Sequence, residues 1–121
     1  MVARAKQKHA VTRTARPRSA RSRGSAAEWQ ARCELAAAHR LVGHFMFADL
    51  TYNHISLRVP GEPEHFLVKA DNLLMEQVTA SNLVKYDLDG RQVGTSAFKA
   101  SPAAYNLHAA VLQARPDIHA A

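Results

Sequence analysis

The 121-residue sequence predicts a mixed α/β domain with a mainly antiparallel sheet and flanking helices. Three observations predict it. A capped stretch with helical apolar spacing comes first, and short runs alternating with period two follow, separated by turn clusters. A Ser-Pro start then opens a second helical stretch near the end.

Each element has its own local reason. Ser25-Ala26-Ala27-Glu28 is a capping-box pattern, in which the hydroxyl accepts an early amide and the carboxylate reaches back. A helix is expected from about 26 to 46, with Leu35, Ala38, Leu41, Val42 and Phe45 on one apolar stripe. Residues 54–59 (His-Ile-Ser-Leu-Arg-Val) alternate as a strand, and Pro60-Gly61-Glu62-Pro63 forms a turn cluster. His65-Phe66-Leu67-Val68-Lys69 reads as the second arm of a hairpin with its loop at 60–64. Thr79-Ala80-Ser81-Asn82 is a short turn or a single helical turn, and 83–88 is a strand. Asp89-Gly90 is a strong hairpin turn into Arg91-Gln92-Val93. The second helix, about 102–114, is expected to turn Leu107, Ala110, Val111 and Ala114 inward and to stop at Arg115-Pro116-Asp117. Ile118 to Ala121 begins another strand, which reads as an interrupted element at an unpaired sheet edge. That predicts a marginally stable or aggregation-prone species.

Charge divides the chain in two. Lys and Arg number 16 against 10 Asp and Glu, a formal net charge of +6. Eight of the basic residues and none of the acids lie in residues 1–27, and all eight aromatic residues lie after them. Residues 1–27 therefore read as a basic, disordered tail, and 28–121 as a mildly acidic domain. The tail's charge suits nucleic-acid phosphates, a transit peptide or an anionic membrane surface. No recognition motif or interleaved aromatic accompanies it, so a nucleic-acid partner is not favoured. No apolar run is long enough to span a membrane, and no secretory signal is present. The single Cys33 allows no internal disulfide and excludes Cys-rich zinc modules; it fits a cytoplasmic location and is expected as a small core residue.

Four segments together resemble the class II aldolase/adducin family. They are Asn53-His54-Ile55-Ser56-Leu57-Arg58-Val59-Pro60, His65-Phe66-Leu67-Val68, and Thr79-Ala80-Ser81-Asn82-Leu83-Val84 with Asp87-Leu88-Asp89-Gly90. The fourth runs from Ser101-Pro102 through His108 to Arg115-Pro116-Asp117. The likeness covers roughly 28–121 in the family's order and spacing. It implies the N-terminal part of a truncated class II aldolase-like three-layer domain.

The resemblance also implies chemistry. The intact domain would be a metal-dependent lyase acting on a small-molecule hydroxy-carbonyl or carboxylate substrate. It would use a divalent metal, with zinc the family's usual choice, and would commonly assemble as a homotetramer. The family's metal-binding His-x-His pair would follow Ala121, so no metal and no cofactor are expected within this chain, which alone would be inactive. Asn53, His54 and Ser56 match the family's Gly-Asn-x-Ser stretch, with Asn for Gly and His for Asn. Asp71-Asn72 stands where phosphate-using aldolases carry Thr-Gly, and Asp71 would repel a phosphate. These five residues are the implied substrate-binding set. Ala104 occupies the place of the catalytic Glu, and its side chain cannot move a proton, so the catalytic residue is unknown.

The histidines do not complete a metal site on their own. His39 and His44 point about 140° apart on a helix. His65 is expected to be solvated, His108 to be packed and hydrogen-bonded, and His119 is not a ligand. Two other readings stand beside the lyase: a non-catalytic interaction module like the adducin head, favoured by Ala104, and a truncated gene product.

Overall fold

The computed structural model describes residues 24–121. Most of the basic tail, with its expected disorder and its candidate partners, lies outside the described residues. The elements are α1 (Ala26–His44), β1 (Ser56–Val59), β2 (Glu62–Val68), β3 (Val84–Asp87), β4 (Gln92–Val93) and α2 (Pro102–Ala114). A 3-10 turn at Met75–Gln77, which no sequence pattern announced, separates β2 from β3.

Both helices begin as their caps dictate. The Ser25 hydroxyl accepts from the Glu28 amide at 3.1 Å, and the Ser101 hydroxyl accepts from the Ala104 amide at 3.2 Å. Pro102 occupies the first turn of α2, where no intrahelical donor is needed. α1 stops at His44, two residues short of the expected end, and Met46 turns to a φ of +57°.

The four strands form an antiparallel meander in the order β1-β2-β3-β4. Ser56 pairs with Val68, Val68 with Val84, and Lys85 with Val93. The β1–β2 connection is tighter than the 60–64 loop expected. Val59 pairs with Glu62, and Gly61 sits at φ +79°, where a side chain would be strained. Pro63 is therefore inside β2. A proline is tolerated there because β3 pairs only from His65 onward. On the other side of β1, Leu57 bridges Ala120 in antiparallel sense. The Ser56 amide donates to Ala121 O at 2.8 Å and the Arg58 amide to His119 O at 2.7 Å. The incipient strand at the chain's end thus lies along β1.

Alternate side chains sort onto two faces, giving three layers. Val59, Leu67, Val78 and Leu83 pack with Ala31, Leu35 and Ala36 of α1. Phe66, Val68, Val84 and Tyr86 pack with Ala104, Ala109 and Leu112 of α2. Which face each helix turns inward differs from the sequence expectation. On α1, Leu35 is buried and Ala38 and Val42 half-buried, but Leu41 and Phe45 are more than half exposed. The buried residues are Glu28, Ala31, Leu35, Ala36, His39 and Gly43, all but Leu35 small or polar. On α2, the inward row is Ala104, His108 and Leu112, Val111 is half-buried, and Leu107, Ala110 and Ala114 face outward. His108 is packed and hydrogen-bonded, as expected, and His39, which the apolar stripe did not include, is buried as well. One ring nitrogen of each finds a hydrogen-bond partner. Cys33 is exposed rather than a core residue.

Polar anchors fix the layers. Buried Glu28 pairs with Arg32 at 2.8 Å and with Lys85 at 3.0 Å, and Lys85 also reaches Glu62. Arg58 bonds to the carbonyls of Pro63, Ile118 (3.3 Å) and Leu112 (2.9 Å), tying the end of α2 to the sheet.

Candidate functional site

The Ser56–Val68 pairing brings the start of β1 and the end of β2 to one edge of the domain. His54 lies two residues before that pair and Lys69 one residue after it. α1 brings His39 and α2 brings His108 to the same end, so four basic side chains lie within electrostatic reach of one another.

Ser56 is fully buried, and its hydroxyl lies 2.8 Å from His108 Nδ1. It also approaches Ala121 O at 3.4 Å. A carbonyl can only accept and a hydroxyl has one proton, so with both bonds made the hydroxyl donates to Ala121 O and accepts from His108 Nδ1–H. The rings of His54 and His108 meet edge to face, 6.1 Å apart at 87°. Burial lowers the pKa of His108, and the nearby His54 adds to the effect. Burial also lowers His54; the Lys69 ammonium pushes the same way and Asp71 pushes back.

Lys69 is only 1% exposed. Its Nζ donates to Thr51 O at 3.0 Å and to Leu73 O at 2.6 Å. Burial lowers its pKa and Asp71 opposes the shift. His39 is completely buried, and its Nδ1 lies 2.8 Å from Leu35 O. A carbonyl can only accept, so Nδ1 carries the proton. That leaves Nε2 as a buried lone pair without a partner. Burial pushes the His39 pKa down to about 4, with Lys69, His54 and His108 contributing in the same direction.

Of the five residues implied to bind substrate, two converge here, His54 and Ser56. Asp71 and Asn72 lie on the exposed loop just beyond Lys69. The Asp71 amide is held by Lys99 O at 2.8 Å. Asn72 adopts φ +58°, a left-handed conformation that Asn reaches at little cost, so the turn keeps the shape a Gly would give it. Asn53 is turned elsewhere: its Oδ1 accepts from the Asp49 amide within its own loop. Ala104 is fully buried among the apolar residues between α2 and the sheet, with no titratable group in its place.

Sequence reasoning missed Lys69, His39 and His108 as partners of this cluster. The available signal was alternation: Lys69 follows Leu67 on an inward-facing parity of β2, where an apolar residue is expected. Elsewhere, His65 is half-buried and lies 2.6 Å from Glu62, rather than being free in solvent. His119 is exposed.

These residues do not fit a metal. Among the described residues no group of three His, Cys, Asp or Glu side chains converges on one point. One nitrogen each of His39 and His108 is already engaged, and the Lys69 ammonium beside them opposes a cation. Among the described residues no helix is long and apolar enough to cross a membrane.

A helix on each face of an antiparallel meander, with loops converging at one sheet end, is an arrangement shared with solved class II aldolase-type proteins. An aldolase II superfamily protein from Pseudomonas syringae superposes with a TM-score of 0.77 at 46% identity, over 83% of this chain and 40% of that one. The L-fuculose 1-phosphate aldolase of Glaciozyma antarctica superposes at 0.69 with 26% identity, over 78% of this chain and 39% of that one. Residues 33–121 match the sequence model for the Class II Aldolase and Adducin N-terminal domain, and the chain belongs to that family. A Caulobacter vibrioides relative named "Putative aldolase class 2 protein" is 42% identical over 101 residues, 84% of this chain and 39% of its own length. Mouse alpha-adducin is 48% identical over 88 residues, 71% of this chain and 12% of the adducin. The chain thus spans about two fifths of the aldolase-type relative and a smaller share of the adducin.

Proposed function

We propose that this chain forms the substrate-facing, metal-free part of a class II aldolase-type domain. The intact domain would act on a small hydroxy-carbonyl or carboxylate compound. The observation that carries the reading is the gathering of His54, Ser56 and His108 beside the Asp71-Asn72 turn. His54 stands at the mouth of this cluster, half-buried, while Ser56 and His108 hold the strand and α2 in register behind it. An imidazole that stays neutral near pH 7 both donates and accepts hydrogen bonds, which suits a hydroxyl beside a carbonyl. Exposed Asp71 disfavours a phosphate at the same mouth through like-charge repulsion. With Ala104 at the place where sugar-phosphate aldolases carry a Glu, and no group of three metal-ligating side chains among the described residues, the chain alone would bind without breaking a carbon–carbon bond.

The test is a panel of small hydroxy acids, hydroxy-ketones and sugar phosphates titrated into labelled protein and followed by NMR. Saturable shifts at His54, Ser56 and Asn72 with the first two classes are expected, and weaker ones with phosphates. Absence of any saturable shift at these residues would overturn the reading. The second reading, a non-catalytic module like the adducin head, is supported by the identity to alpha-adducin and by Ala104. It predicts no small-molecule response at all.

A further inference from the structure

We infer that Lys69 is a positioning residue. Its ammonium clasps the 45–53 loop to the 71–74 loop and places a positive charge behind His54. The inference rests on reading the His54 end of the sheet as the binding site, but it concerns the protein's own architecture and is tested without a ligand.

A lysine is among the residues least often fully buried, and a buried ammonium without a carboxylate partner is expensive. Lys69 is 1% exposed, and none of the ion pairs among the described residues includes it. A leucine at this position, continuing the inward parity of Leu67, would be cheaper to fold. What the ammonium provides instead is two bonds to backbone carbonyls on separate segments, Thr51 at 3.0 Å and Leu73 at 2.6 Å. Thr51 lies two residues before Asn53-His54, and Leu73 directly follows Asp71-Asn72. Without the clasp, the two segments that carry the candidate site have no shared side-chain anchor among these hydrogen bonds.

The second effect is electrostatic. The charged and titratable groups that bear on His54 come from every neighbouring element: His39 on α1, Lys69 after β2, Asp71 on the following loop and His108 on α2. Lys69 and Asp71 act on His54 in opposite senses. The Lys69 ammonium keeps His54 unprotonated to lower pH than burial alone would.

The experiment is a histidine-resolved NMR titration of the wild-type protein, Lys69→Met and Asp71→Asn, with amide exchange measured in parallel. In the wild type the His54 midpoint lies below that of an ordinary imidazole. In Lys69→Met it rises, and in Asp71→Asn it falls. Amide exchange across 51–54 and 72–74 quickens about tenfold or more in Lys69→Met, as expected for loss of charged hydrogen bonds. If Lys69→Met does not fold, Lys69→Gln takes its place, since it keeps a donor and removes the charge. A His54 midpoint in wild type at or above the ordinary value overturns the inference. So does an unchanged midpoint in a folded Lys69 variant, even where exchange quickens, because a purely structural clasp would leave the midpoint alone. A protein that binds no small molecule yet shows these shifts would refute the proposed function and leave Lys69's role intact.

Discussion

Acid should unfold this protein through His39, and the effect has a calculable size. The imidazole is completely buried, and burial pushes its pKa from 6.5 down to about 4. The unfolded chain therefore binds a proton between those values that the folded chain refuses. Stability is complete above pH 6.5, falls as pH drops through 6.5, and stops falling below about 4. The full span is about 3 kcal/mol at 1.36 kcal/mol per pH unit, and about 2 kcal/mol is gone by pH 5. For a domain of ordinary stability that is a roughly thirtyfold change in the folded-to-unfolded ratio. The perturbation is His39→Leu, which fits a similar volume and removes the unpartnered Nε2. Urea melts followed by far-ultraviolet circular dichroism at pH 7.5 and 5.0 measure the loss in each protein. The wild type should lose about 2 kcal/mol more than the variant between these conditions. His54 and His108, whose pKa values are also lowered, give both proteins a residual slope. Equal losses in the two proteins would refute the reasoning, and would mean that His39 gains a proton without unfolding.

Further outcomes follow from other contacts. Arg58→Met leaves the carbonyls of Pro63, Leu112 and Ile118 without their donor, and urea midpoints should fall by an amount equivalent to about 3 kcal/mol. Ser101→Ala removes the α2 cap and should cost about 1 kcal/mol in the same assay. Gly43→Ala should lower the melting temperature despite alanine's better helix propensity. Its added Cβ would meet Glu76 Oε1 at 2.6 Å and Met75 Cβ at 3.0 Å, and the second of these cannot swing away. Calorimetry with zinc should give no stoichiometric high-affinity site, and a tight one would show that His39, His54 and His108 rearrange around a cation.

Local signals in the sequence carried most of the architecture. Ser25 and Ser101-Pro102 announced both helix starts, and Asp89-Gly90 announced the β3–β4 hairpin, whose Gly90 sits at φ +81°. These are short-range effects, decided by one side chain and its nearest backbone. Helix faces were harder, because hydropathy ranks Leu107 and Phe45 above His108 and His39. The fold inverts that order where an imidazole can reach Ser56 or a helix carbonyl, and no periodicity encodes such a pairing across 52 residues. The candidate site was partly legible. His54, Ser56, Asp71 and Asn72 could be named from family-like motifs, whereas Lys69 was marked only by its parity with Leu67, not by its partners. Its carbonyl partners are backbone atoms, which leave no mark in the sequence.

The pairing of residues 119–121 with β1 also bears on the timing of folding. The β1–β4 meander is built from neighbours in sequence and closes through short turns, the kind of contact that forms early. Ser56, by contrast, bonds to His108 and Ala121, 52 and 65 residues away, so closing that ring costs the entropy of a long loop. During synthesis β1 pairs on one side once β2 has emerged, while its other side stays bare. It waits for the last residues of this sequence to emerge before Ser56 acquires its partners. The candidate site is therefore a late product of folding. A nascent chain that has exposed β4 but not yet residue 108 would present a meander with an open strand edge, which makes that interval the one in which pairing with another chain competes with correct completion.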